Sequence, residues 1–465
     1  MVFSSMIFLW LFLPIVLAAY YIIGRKKTVL KNIILLLSSI FFYAWGEPIY
    51  ICLMLLSIIL NYSFGLLMAT SYRKFFLILD VVSNLAILSY FKYCDFLISI
   101  INSVFHTSIA NKEIALPIGI SFFTFQAMSY VIDLYREECP IEKNILNVAL
   151  YISFFPQLIA GPIIKYKDIG YQIRSRLESS EKFALGVRRF CYGLAKKVII
   201  SNTLAEVVDN IAAMNMEVVS SSMAWIVVIF YSLQIYYDFS GYSDMAIGLG
   251  SMFGFHIPEN FQYPYLSSSI NEFWRRWHIS LGTWFREYVY IPLGGNRNGV
   301  ARTYINLLIV FLLTGIWHGA SWNFILWGVY HGFFIIIERL GLNNILKRLP
   351  ILSHIYTVCV FGFGWILFRF TNIRQGLAYI KRIILPWNYT YNRYSILEIV
   401  NRRAMLILIL AIAGCGILQK LTIRYSDISR LKAGKIDLMY CTVLVWLCFG
   451  LLVANTYNPF IYFRF

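Results

Sequence analysis

Apolar runs long enough to cross a lipid bilayer recur along this chain, separated by short loops that hold most of the charge. A span needs about 20 apolar residues. Stretches near 6–23, 29–45, 49–69, 75–92, 94–109, 117–133, 146–163, 222–240, 303–317, 321–338, 352–370, 404–419 and 437–455 meet or approach that length. Several are short or broken by Gly and Pro, as at Leu116-Pro117-Ile118-Gly119 and Ala160-Gly161-Pro162. Such segments are predicted to enter and leave by one face, because irregular backbone survives at membrane depth only where protein or a water-filled cavity surrounds it. The pattern predicts an all-α polytopic membrane protein with roughly eleven to thirteen spanning or re-entrant helices, a single embedded domain over 1–465.

Composition agrees with the pattern. Of 465 residues, 59% are hydrophobic and 14% charged, where a soluble domain carries about a quarter charged residues. Tyr (33), Phe (37) and Trp (12) are abundant enough to furnish two membrane–water interfaces. The formal charge of +17 is concentrated in loops, which points to the positive-inside rule and an anionic ligand on that side and not to nucleic acid. Eight Cys show no CxxC spacing and read as packing residues. The first apolar run has no preceding basic region and no small-residue cleavage site, so it reads as a retained span.

Loop charge sets an expected orientation. Arg25, Lys26 and Lys27 place the first loop in the cytoplasm, as do Arg424, Arg430 and Lys432 for the loop 420–435. Both termini, including the aromatic segment 456–465, are then expected outside the cytoplasm. The segment 164–215 departs furthest from membrane composition; its Lys and Arg alternate with apolar residues as in helices lying on a cytoplasmic surface, where they serve as topology signal or as a mouth for a phosphorylated donor.

Ionisable groups at membrane depth are costly and therefore functional candidates. Of six His, two stand in dense settings. His278 lies in Asn271-Glu272-Phe273-Trp274-Arg275-Arg276-Trp277-His278, which reads as one or two half-helices beside a wet cavity, or as an interfacial helix with snorkelling arginines. His318 lies in Thr314-Gly315-Ile316-Trp317-His318-Gly319, between two apolar runs. His331 falls about 220° round the helical wheel from His318 and is assigned a structural role, as are His106, His256 and His354. No HExxH or other metal-ligand spacing occurs, which argues against metal catalysis, and no GxSxG elbow is visible. A His in a dry passage suits general-base activation of a hydroxyl that attacks a thioester.

At these residues the chain resembles the membrane-bound O-acyltransferase superfamily, within it the bacterial alginate and peptidoglycan O-acetyltransferases. The resemblance rests on Pro117-Ile118-Gly119-Ile120-Ser121-Phe122-Phe123 with Tyr130 and Asp133, on Phe155-Pro156-Gln157 with Gly161-Pro162, and on Tyr237-Asp238-Phe239-Ser240-Gly241-Tyr242-Ser243-Asp244. The Trp274 to Tyr288 segment, Pro292-Leu293-Gly294-Gly295-Asn296 and Trp317-His318-Gly319 complete it. It implies a ring of tilted helices around a central funnel, with His318 as the essential His and His278 as the second site. Asn271, Arg275, Trp317 and Asp238 are carried over as substrate or tunnel-lining candidates.

The resemblance further implies transfer of acetyl from cytoplasmic acetyl-CoA, with no permanently bound cofactor or metal, across a bacterial cytoplasmic (inner) membrane. The acceptor would be an extracytoplasmic polysaccharide, reached through a Ser-dependent partner of the SGNH/GDSL type. By similarity to a partner peptide of teichoic acid D-alanylation, Tyr462 is expected to receive the acyl group, or to serve as an interfacial anchor. Two alternatives stay open: D-alanyl transfer from a carrier protein, and a polytopic transporter or channel.

Overall fold

The computed structural model describes residues 1–25, 27–390, 394–417, 435–454, 457–459 and 461, with the side chains of 435 and 436 excepted. Tyr462 and the loop 420–434 lie outside the described residues. The described secondary structure is helical throughout, as the run pattern predicts. Its principal helices are α1 (Phe8–Ile23), α2 (Thr28–Gly46), α3 (Ile51–Leu67), α4 (Arg73–Phe105), α5 (Ile120–Tyr135), α6 (Ile145–Ser153), α7 (Tyr166–Arg174), α8 (Ser180–Ala195) and α9 (Asn202–Ala212). There follow α10 (Ser221–Met252), α11 (Ile270–Arg276), α12 (Ile279–Phe285), α13 (Val300–His318), α14 (Trp322–Ile337), α15 (Pro350–Arg369), α16 (Ile373–Ile384), α17 (Arg402–Ile412) and α18 (Lys435–Ala454).

Seven described helical stretches are long and apolar enough to cross a membrane. In the most apolar window of α18 only 11% of residues are buried by protein, against 78% for α10. The apolar surface of α18 therefore has lipid as its solvent, whereas α10 is enclosed by protein. The runs 75–92 and 94–109 form one helix, α4, of 33 residues. Lys92 lies inside it and donates to Ser121 Oγ at 3.1 Å, so the charge that divides the hydrophobic run has an internal partner and does not end the helix. The run 146–163 is shorter than expected: α6 ends at Ser153, and Pro156 starts a separate turn.

The chain divides into two compact units. The first comprises Met1–Cys191 and Tyr242–Pro258. Its centre is aromatic: Phe3, Phe8, Phe42, Phe155 and Tyr242 are all buried, and the rings of Phe3 and Tyr242 stack at 4.6 Å. Arg176 joins the unit's parts, donating to Tyr20 Oη (2.9 Å), Phe253 O (3.1 Å) and Asn32 Oδ1 (2.7 Å). Gly119, at φ +77°, turns the chain into α5, a conformation that only glycine adopts without strain.

The second unit comprises Tyr192–Gly241 and Glu259–Phe465. Here α13 and α14 form a close antiparallel pair. A Cβ on Gly315 would lie 3.2 Å from Gly328 Cα, so the backbones meet where neither helix has a side chain. Beside them Tyr265 stacks on Phe361 at 4.6 Å, and Trp277 packs on Trp365 at 4.7 Å. Not all of the basic segment 164–215 faces outward: Lys197 is buried against Asp238.

Candidate active site

The expected half-helices are present as α11 and α12, and His278 stands at the break between them. Ser269 caps α11 by accepting from Glu272 N at 3.1 Å. The Glu338 carboxylate accepts from Ile270 N (2.6 Å) and Asn271 N (3.0 Å), so a negative group meets the helix's positive end. After Arg276 the chain turns, and His278 takes φ +45°. That left-handed geometry costs a residue with a Cβ about 1–2 kcal/mol. The extended segment around Asn260 holds it in place: Ile279 N donates to Asn260 O, and Gln262 N donates to Arg276 O, each at 3.0 Å.

The buried Asn260 side chain also fixes the imidazole. Its Oδ1 accepts from Ser280 N (3.2 Å) and Ser280 Oγ (2.9 Å). A backbone N–H only donates, so that atom is an acceptor and His278 Nδ1, 3.2 Å away, is the donor. The proton sits on Nδ1 and Nε2 is the basic nitrogen.

His318 is the last residue of α13. Its ring lies 5.0 Å from those of Trp317, Trp327 and Phe368, edge-on to each. Gly319 is needed here because a Cβ would fall 2.3 Å from the Phe324 ring. The Trp317 indole links the two candidate histidines: its centroid lies 5.0 Å from that of His318 and 6.0 Å from that of His278. Phe239 closes on His278 from α10 at 4.6 Å.

The structure thus brings His278, Trp317 and His318 together. Asp238 is fully buried one residue before Phe239, ion-paired to Lys197 at 2.5 Å. Asn271 is half-buried and Arg275 exposed. His331 is buried and linked to His318 through Trp327, whose ring is 5.0 Å from each. Sequence reasoning missed Asn260, Ser280, Trp327, Phe368 and Lys197. Ser280 stands two residues from His278 and was within reach of the motif; Asn260 carries no signal beyond a polar residue in a loop. Among the described residues no group of three or more His, Cys, Asp or Glu is placed to hold a metal.

Imidazoles walled by aromatic rings suit proton removal from a hydroxyl in a water-poor setting. The membrane-bound O-acyltransferase (MBOAT) family model matches residues 48–380, a stretch that contains every residue of this cluster. The chain belongs to the membrane-bound O-acyltransferase family. It is a multi-pass membrane O-acyltransferase. The chain is 39% identical to the probable alginate O-acetylase AlgI of Pseudomonas putida, with all of both chains covered. It is 35% identical to the peptidoglycan O-acetyltransferase of Helicobacter pylori, over 83% of this chain and 80% of that one. It is 29% identical to the teichoic acid D-alanyltransferase of Bacillus subtilis, over 46% of this chain and 56% of that one.

Proposed function

We propose that this O-acyltransferase takes acetyl from acetyl-CoA on the cytoplasmic side of a bacterial inner membrane and delivers it outside. An extracytoplasmic Ser-dependent partner of the SGNH/GDSL type then places it on a surface polysaccharide, peptidoglycan or an alginate-like polymer. Coenzyme A is multiply anionic and does not enter hydrocarbon, so only the small acyl group travels.

In this reading His318 accepts the proton of the attacking hydroxyl, that of Tyr462. The phenolic oxygen forms an ester bond to the acetyl carbon, the C–S bond breaks, and coenzyme A leaves as its thiol with the proton. The partner's serine then takes the acetyl and restores the phenol. His278 supplies the second imidazole. The observation that supports the reading is the Trp317 indole packed against both rings, which brings two imidazoles from different segments into one aromatic cluster.

The acetyl cargo is preferred to D-alanine because the O-acetylases match this chain over four fifths or more of its length, whereas the D-alanyltransferase matches under half. The test is His318→Ala in proteoliposomes supplied with acetyl-CoA. Removing a general base costs about 10²–10⁴-fold, so acetyl release should fall at least about 100-fold. Unchanged release would refute the assignment. O-acetyl content of cell-wall and exopolysaccharide fractions, with and without the protein, identifies the acceptor.

A further inference from the structure

The second unit holds a buried ion pair that the proton chemistry does not use. Lys197 and Asp238 lie 2.5 Å apart with side chains 3% and 1% exposed. Taking two charges out of water costs several kcal/mol per ion, offset only where good geometry and further hydrogen bonds satisfy both groups. Part of that satisfaction comes from the far end of the chain. Lys197 Nζ donates to Pro459 O, and Ile461 N donates to Asp238 Oδ2 at 2.9 Å. Two neighbouring contacts extend the grip: Asn202 Nδ2 donates to Asn458 Oδ1 at 3.1 Å, and Tyr457 Oη donates to Asp209, itself paired with Arg369 at 2.6 Å.

The ion pair thus reads the tail's main chain, one charge on a carbonyl and the other on an N–H. The docked Ile461 is buried and forms a wall of a cavity of about 180 Å³. Gln234 and Arg369 also line that cavity, and the Gln234 Oε1, deep in the protein, has no hydrogen-bond partner among the described residues. Ser201 Oγ spans from Gln234 O to Asp238 Oδ1, both at 3.3 Å, so cavity and ion pair share one polar network. Asp238 is followed by Phe239, which packs on His278.

We propose that the Lys197–Asp238 ion pair is the receptor for the chain's own C-terminal segment, positioning it beside the Gln234–Arg369 cavity for acyl hand-off. The proposal rests on the acetyl-transfer reading. Lys197 and Asp238 are positioning residues: they act through the tail's backbone and not on the acyl group.

Ile461→Pro tests the dock with the least disturbance, because it deletes the N–H that Asp238 accepts and leaves the body of the protein intact. In proteoliposomes with acetyl-CoA, Ile461→Pro should lower donor cleavage and transfer to the polysaccharide together, each at least about tenfold, because the same tail carries the attacking hydroxyl; Ile461→Val, which keeps the N–H, should do both normally. The double variant Asp238→Ala/Ile461→Pro should transfer no less than Asp238→Ala alone, since each removes one side of the same contact. Normal transfer by Ile461→Pro, or additive losses, would overturn the dock. Carboxypeptidase digestion of the purified full chain reads the dock without any acyl donor. The last residues should be released several-fold faster from Ile461→Pro and Lys197→Met than from the wild type, and equal rates would also overturn it. Protection of the wild-type tail with no acetyl transfer would instead count against the acetyl reading alone.

Discussion

His278 Nδ1 donates to Asn260 Oδ1 across 3.2 Å, and the same oxygen accepts two bonds from Ser280. One side chain therefore sets both the tautomer of the imidazole and the start of α12. Asn260→Ala should lower acyl transfer at least about tenfold, roughly 1.4 kcal/mol on the barrier, with the protein still folded. Asn260→Asp acts through charge. A carboxylate beside the ring favours imidazolium and raises its pKa, so the acid limb of the pH–rate profile, where the neutral ring is lost, should move to higher pH. An unmoved limb would show that the His278 ring takes no part in proton handling.

Backbone and ring contributions at position 278 separate by choice of substitution. The φ of +45° is tolerated several-fold better by Asn than by Ala. His278→Asn should therefore melt close to the wild type while losing activity. His278→Ala should lose activity and also about 1 kcal/mol of stability. Equal thermal midpoints for the two variants would mean that the left-handed turn stores no strain.

The helical, membrane-embedded character of the chain was legible because lipid solvent leaves a strong one-dimensional mark: apolar runs of fixed minimum length. Boundaries set by long-range contacts were not. Lys92 looked like an interruption, yet Ser121, 29 residues later, gives it a partner inside α4. The same holds at the site. His278, Trp317 and His318 stood out because charge and glycine are rare among apolar residues. Asn260 and Lys197 gain their roles from partners 18 and 41 residues away, a relation no local pattern encodes. The basic segment reads as a surface feature, because nothing in it distinguishes Lys197, which turns inward, from Lys196 beside it.

Glu142, in the loop between α5 and α6, should make the first unit's stability depend on acid pH. Burial pushes its carboxyl up, but hydrogen bonds from Asn144 N, Asn147, Tyr166 and Arg174 outweigh that and hold it below its ordinary value of 4.5. Tyr166 Oη and Arg174 Nη2 each donate to it at 3.0 Å. A carboxyl lowered in the folded state stabilises above its unfolded value, and the contribution disappears as pH falls through the folded value. Glu142→Gln should melt below the wild type at neutral pH, by about 1–2 kcal/mol. The two proteins should converge on acidification, which thermal melts in detergent across the pH range would show. A difference that persists in acid would assign the loss to packing.

Gly315 and Gly328 hold α13 against α14, and α13 ends at His318. A Cβ on Gly315 would sit 2.3 Å from Phe324 O, and one on Gly328 would sit 2.3 Å from Phe311 O. Both obstacles are backbone carbonyls, which no rotamer change moves aside, so the helices must separate. At Gly332 the nearest atom is the Phe311 Cβ at 3.2 Å, a smaller intrusion. Overpacking of this kind costs about 1–3 kcal/mol. Gly315→Ala and Gly328→Ala should each lower the thermal midpoint more than Gly332→Ala. They should also lower acyl transfer beyond what the lost folded fraction explains, because parting the helices shifts His318 relative to the Trp327 ring that packs on it. Wild-type transfer by Gly328→Ala would show that the site tolerates that shift, and that the close helix contact serves stability alone.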